Sequence, residues 1–113
     1  MIRHIVFFSI PDPARVDFVV NTLRGYAAIP EVRSIEVERN NKRDAISHEI
    51  DVVLHATFDD LAALERYKRH PIYEAGTRAV RPLRHLRFVA DYAATPDEGE
   101  QLHDSRRSKA DAE

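Results

Sequence analysis

A first strand that is apolar on both sides constrains this chain more than any other feature. The segment MIRHIVFFSI places Ile2, His4, Val6, Phe8 and Ile10 on one side and Arg3, Ile5, Phe7 and Ser9 on the other. Successive side chains of a strand point to opposite faces. A strand with one face in water therefore alternates apolar with polar residues. This one requires cover on both faces. Residues 49–58 repeat the theme, with Ile50, Val52, Leu54, Ala56 and Phe58 on one side and Val53 on the other. Residues 83–92 place Leu86 and Phe88 on one side and Val89 on the other.

Between these strands the apolar period changes. Asp12 with Pro13 is a helix start, and Val16, Val19, Val20, Leu23 and Ala27 follow at helical spacing until Ile29-Pro30. Residues 32–38 alternate as a weaker strand near an edge, and RNNKRDAIS (39–47) is a polar loop. Asp59 is expected to cap the next helix, whose apolar stripe is Leu61, Leu64 and Tyr67. Pro71 ends or kinks that helix, residues 72–80 form a second helical piece, and Pro82 stops it. The order β-α-β-β-α-β predicts an α+β, ferredoxin-like fold, a four-stranded antiparallel sheet with the helices on one face. Residues 1–92 form this domain, and residues 93–113, charged and nearly free of large apolar side chains, are expected to be a flexible C-terminal tail.

Helices on one face leave the other bare. Ile5, Phe7, Val53, Leu86 and Phe88 would then meet water, and each is worth about 1.5–3 kcal/mol if buried. An exposed ion pair contributes at most ~1 kcal/mol. The economical solution is a two-fold homodimer packed through the open sheet faces.

Composition narrows the partners. At 113 residues the chain is one domain, and its net charge of −2 with scattered basic residues argues against a nucleic-acid surface. It has no cysteine, so disulfides and thiolate chemistry are excluded. No run approaches the ~18 apolar residues of a membrane span, and the N-terminal segment lacks the features of a signal peptide. The expected location is cytoplasmic, without a membrane partner. The histidines show no metal-ligand spacing, so no metal is expected.

Chemistry-bearing residues concentrate in residues 64–73, LERYKRHPIY, where Tyr67 and His70 stand three apart on one helix face. His4 lies among apolar neighbours, where a histidine needs a hydrogen-bond partner or stays neutral at a cost. It is either a base or a structural histidine. Tyr67 is either a neutral donor to an oxyanion or a core tyrosine. His70 sits near a helix C-terminus, where the dipole favours its charged form and a capping role competes with a ligand contact. Tyr73 shapes a pocket, since a phenol is a poor base. Val6, Phe8, Phe18, Val52 and Leu54 are candidate pocket walls. Arg84 and Arg87 read as a solvated strand end, with an anionic ligand as the other reading.

The segments MIRHIVFFSI, IPEVRSIEV, DVVLHATFDDLAALERYKRHPIY and RFVADY together resemble the stress-responsive A/B barrel family, a branch of the dimeric α+β barrel superfamily. The resemblance spans residues 1–92. It implies a ferredoxin-like monomer and a homodimer whose two sheets form a barrel. A few plant members are enzymes, a polyketide cyclase working by aldol condensation and a hydroxynitrile lyase. Both work without a cofactor in a pocket between sheet and helices. By this resemblance His4, and Tyr67 and His70 of the Y-x-x-H-P motif, match positions of the cyclase-like members. Their general base is a histidine two residues after that proline, and here Tyr73 stands in its place.

Three functions follow. The first is a homodimer binding a small hydrophobic or carbonyl ligand, with lyase- or cyclase-like proton transfer by His4, Tyr67 and Tyr73 and no cofactor. The second is a non-catalytic stress or interaction protein. The third is a cofactor-free monooxygenase-like enzyme.

Overall fold

A computed structural model describes residues 1–95; the expected tail beyond them lies outside the described residues. Four strands and three helices run β1 (Ile2–Phe8), α1 (Val16–Arg24), β2 (Ser34–Arg39), β3 (Val52–Phe58), α2 (Leu61–Lys68), α3 (Pro71–Val80) and β4 (Arg87–Ala93). The sheet is antiparallel with spatial order β2-β3-β1-β4, the ferredoxin-like arrangement the sequence predicts.

Register fixes which side chains share a face. His4 stands between Ala56 on β3 and Asp91 on β4, and Phe7 stands between Val53 and Phe88. His4, Val6, Phe8, Val52, Leu54, Ala56 and Phe58 are buried under the helices. On the opposite face Ile5 and Val53 are half-buried, while Phe7 is 38% and Phe88 53% exposed. The two apolar faces of β1 thus have unequal cover, as its sequence requires of a single copy.

Several local expectations are corrected. Asp60, not Asp59, caps α2 by accepting from the Ala63 N–H; Asp59 instead pairs with Arg33. That shift of one residue turns Leu61 outward and makes Ala63, Leu64 and Tyr67 the buried stripe. After Arg24 the chain tightens into a 3-10 turn over Gly25–Ala28, which puts Tyr26 in the core and Ala27 in solvent. Strand β3 begins at Val52 rather than at residue 49. Strand β4 begins at Arg87, and Leu86 sits just before it, held by backbone and side-chain hydrogen bonds with Ser9.

The junction at Pro71 breaks the second helical region in two. Proline cannot supply the N–H that would continue α2, but it suits the first position of a new helix. His70 lies in extended conformation before it, and its Nδ1 accepts from the Ile72 N–H. His70 therefore caps the start of α3, rather than closing α2 on a shared face with Tyr67.

Candidate functional site

Beneath the helices, β1 delivers His4 to a cavity whose other walls come from every helical element. Tyr26 enters from the turn after α1, Tyr67 from α2, Tyr73 and Thr77 from α3. The three tyrosine rings and the His4 ring pack against one another edge-on or tilted. Ring centroids are 6.0 Å apart for His4 and Tyr67, 4.9 Å for Tyr67 and Tyr73, and 5.3 Å for Tyr26 and Tyr73. The Tyr26 hydroxyl reaches Thr77 Oγ1 at 3.2 Å and the Tyr73 carbonyl at 3.3 Å. Gly76 makes that docking possible, because a Cβ there would overlap the Tyr26 ring and hydroxyl.

His4 Nδ1 lies 2.5 Å from Asp91 Oδ1 across the β1–β4 pair. A carboxylate only accepts, so Nδ1 carries the proton and Nε2 of the neutral ring is an acceptor. Nε2 makes no hydrogen bond among the described residues. Burial lowers the His4 pKa from the ordinary 6.5, opposed by its hydrogen bond and charge interaction with Asp91. At neutral pH the ring is therefore uncharged and basic at Nε2.

Tyr67 is wholly buried, and its hydroxyl has no partner among the described residues. Burial first, and then the neighbouring Tyr73 and Tyr26, push its pKa far up. The group is a permanent O–H donor. An unsatisfied buried hydroxyl costs roughly 1–3 kcal/mol, which is unusual enough to require an explanation.

The space these groups enclose is about 20 Å³. That is room for about one water molecule, and far below the ~300 Å³ of an ordinary ligand pocket. Tyr73 and Thr77 also border an outer cleft of about 430 Å³, which Lys68, Arg78 and Arg81 line as well. Arg84 and Arg87 line the inner cavity. Burial, and then Arg87 and Arg81, lower the Arg84 pKa.

The predicted catalytic set His4, Tyr67 and Tyr73 is thus brought together, and Val6, Phe8 and Leu54 line the same space. Three predicted ligand residues lie elsewhere. Phe18 is 46% exposed, because the helical period that buries Val16, Val19, Val20 and Leu23 turns it to solvent. Val52 is core, packed outside the cavity lining. His70 is occupied as a cap and does not line the cavity.

Residues the sequence reading passed over are Asp91, Tyr26 and Thr77. Counting outward from Phe88 would have put Asp91 on the covered face, where a carboxylate needs a partner. Tyr26 follows Leu23 by three residues, the spacing of the same buried stripe.

A second cleft of about 610 Å³ lies where β1 ends and the β2–β3 loop returns. Its central charges are already matched, since Asp51 takes Lys42 Nζ at 2.6 Å and the Ile10 N–H at 2.6 Å. Among the described residues no cluster of potential metal ligands occurs, and no helix is long and apolar enough to cross a membrane.

The sequence matches the family model described as stress responsive A/B barrel domain over residues 2–94. No curated protein matches it. Among solved structures, it resembles a dimeric ferredoxin-like protein of unknown function from Thermobifida fusca. The two share 27% identity over 82% of this chain and 90% of that one, with a TM-score of 0.73. A ferredoxin-like protein of the same barrel family from Mesorhizobium loti is 25% identical over 84% and 97% of the two chains, at a TM-score of 0.70. A cofactor-independent oxygenase from Streptomyces nogalater shares the fold at 18% identity, over 84% and 93% of the two chains, with a TM-score of 0.65.

Proposed function

This chain belongs to the stress-responsive A/B barrel family, and from that premise we propose that it is a homodimer whose subunits each bind a small carbonyl compound and shift a proton beside the carbonyl. One observation carries the reading: Tyr67, whose buried hydroxyl has no partner among the described residues, lines the same small cavity as His4. A buried hydroxyl without a protein partner calls for one inside the cavity, a ligand oxygen or a water that a ligand can displace.

The chemistry assigns each group one task. The carbonyl oxygen accepts from the Tyr67 hydroxyl. His4 Nε2 removes a proton from the adjacent carbon, the C–H electron pair forms a carbon–carbon double bond, and the C=O π pair moves onto the carbonyl oxygen. Tyr67 then holds the enolate oxygen, as a preorganised donor in a dry site does. The imidazolium that forms is steadied by Asp91, and returning the proton to carbon or oxygen completes the cycle. Asp91 is a positioning residue, because it acts through His4. Tyr73 stands between cavity and outer cleft and gates entry. Val6, Phe8 and Leu54 exclude water.

The homodimer is supported by the exposed Phe7 and Phe88 on the uncovered face and by the dimeric relative from Thermobifida fusca.

The test is exchange of carbonyl-adjacent protons for deuterium in D2O, followed by proton NMR over a panel of small methyl ketones. The wild type is expected to speed exchange of at least one ketone, and His4→Gln to lower that rate by about 10²–10⁴-fold. If no ketone exchanges faster with protein than without it, the catalytic reading fails.

A further inference from the structure

The inner cavity admits only the end of a ligand, so the remainder must lie among the groups at its mouth. Those groups are strongly cationic. Arg84 and Arg87 line the cavity itself, and Lys68, Arg78 and Arg81 line the outer cleft that shares Tyr73 and Thr77 with it. Glu74 is the one acidic residue along that cleft. Among the described residues, Arg81, Arg84 and Arg87 form no ion pair, as is also true of Arg3, Arg15, Arg43, Arg69 and Arg78, but of these unpaired arginines only Arg84 and Arg87 line the inner cavity.

The placement of Arg87 is built in by register. It pairs with Phe8 on β1, so it projects to the covered face, as does Asp91 opposite His4. The helices do not reach over this edge strand, since Val89 on the same side is 46% exposed. Arg84 leaves the short turn after α3 at the same corner and is half-buried. Holding several guanidinium groups together without counter-charges is unfavourable. The arrangement suits an anion, and a planar guanidinium fork matches a carboxylate with two hydrogen bonds.

We propose that the ligand is an anionic carbonyl compound, a keto acid, whose carboxylate is held by Arg84 and Arg87 while its ketone oxygen reaches the Tyr67 hydroxyl beside His4. This rests on the reading of the His4–Tyr67 cavity given above and adds the substrate class to it. The outer lysine and arginines then raise the local concentration of such anions and speed their capture, an effect that weakens with salt.

The test compares 4-oxopentanoate with its methyl ester, which keeps the ketone and removes the charge. Dissociation constants are measured for the full chain by ligand-observed NMR in low salt. The wild type is expected to hold the acid at least about tenfold more tightly than the ester, the scale of a charge-assisted hydrogen-bond pair. The double variant R84Q/R87Q should bring the two within about twofold by weakening the acid far more than the ester, and an ester affinity still sensitive to Tyr67→Phe in that background shows that the cavity is intact. R84K/R87K should recover part of the preference, and Tyr67→Phe should weaken both probes alike. Equal binding of acid and ester by the wild type, with the Tyr67→Phe effect retained, overturns the anion assignment alone. A preference that survives R84Q/R87Q overturns the role of the two arginines. If neither probe binds, the substrate assignment falls together with the site reading beneath it.

Discussion

Strand β1 supplies both faces of the sheet from alternating residues, and the two faces are finished differently. On the covered face His4, Val6 and Phe8 meet helices, and the apolar groups are packed to near-complete burial. Three polar side chains, His4, Tyr26 and Tyr67, are retained inside that packing. On the bare face Ile5, Phe7 and Phe88 are as apolar, but among the described residues Ile5 is only half-buried and Phe7 and Phe88 stay exposed. The covered face therefore accepts a polar cost within an otherwise complete core, while the bare face keeps an apolar surface without a core. The first pattern fits a ligand and the second a second copy of the chain. Stability should register changes on one face, and association changes on the other.

The largest separation is expected from Phe88→Asp. The residue occurs twice in a two-fold interface, and replacing it should weaken the dimer by on the order of 3–6 kcal/mol. Analytical ultracentrifugation should show monomers at micromolar concentration, with the circular dichroism of the fold unchanged. Phe58→Ala, on the covered face, should do the reverse. It should cost the fold about 3–5 kcal/mol in urea unfolding through the cavity it leaves.

Gly76→Ala should cost about 1–3 kcal/mol by overpacking, because the new methyl displaces the Tyr26 ring from α3. It should also loosen the Tyr73–Thr77 side of the cavity, so weaker ligand binding should accompany the lower melting temperature.

The smallest effect is a pH dependence. His4 has a folded pKa below its unfolded value of 6.5, so the unfolded chain takes up the proton first as pH falls. The stability linked to His4 is therefore complete above pH 6.5 and is lost as pH drops through the folded value. Unfolding curves recorded across that range should show the decline in the wild type and lack its histidine-linked part in His4→Gln.

Much of the fold was legible because burial repeats with a fixed period. The alternation of Ile2 to Ile10 and the 3.6-residue spacing of Val16, Val19, Val20 and Leu23 each encode a face directly. The errors came where the period changes. The 3-10 turn after Arg24 exchanged Ala27 for Tyr26, and the extended Asp60 moved the start of α2 by one residue. The site was half legible. His4, Tyr67 and Tyr73 stood out as polar groups in apolar runs. Asp91 did not, and Arg87 read first as a solvated strand end with an anionic ligand as the other reading, because both lie on an edge strand whose covered face is left partly open to solvent by the helices. Only three-dimensional register shows that Asp91 meets His4 and that Arg87 lines the cavity. His70 misled for a local reason: a histidine before proline at a helix junction caps the next helix as well as it ends the last.

The central claim is that Tyr67 retains its hydroxyl for a ligand, at the expense of the fold. Urea unfolding of ligand-free Tyr67→Phe against the wild type tests this most directly. The account predicts that the variant is more stable by about 1 kcal/mol, since a buried unpaired donor has been removed without changing the packing. A variant less stable by that amount would mean the hydroxyl has a structural partner it needs, and would contradict the account.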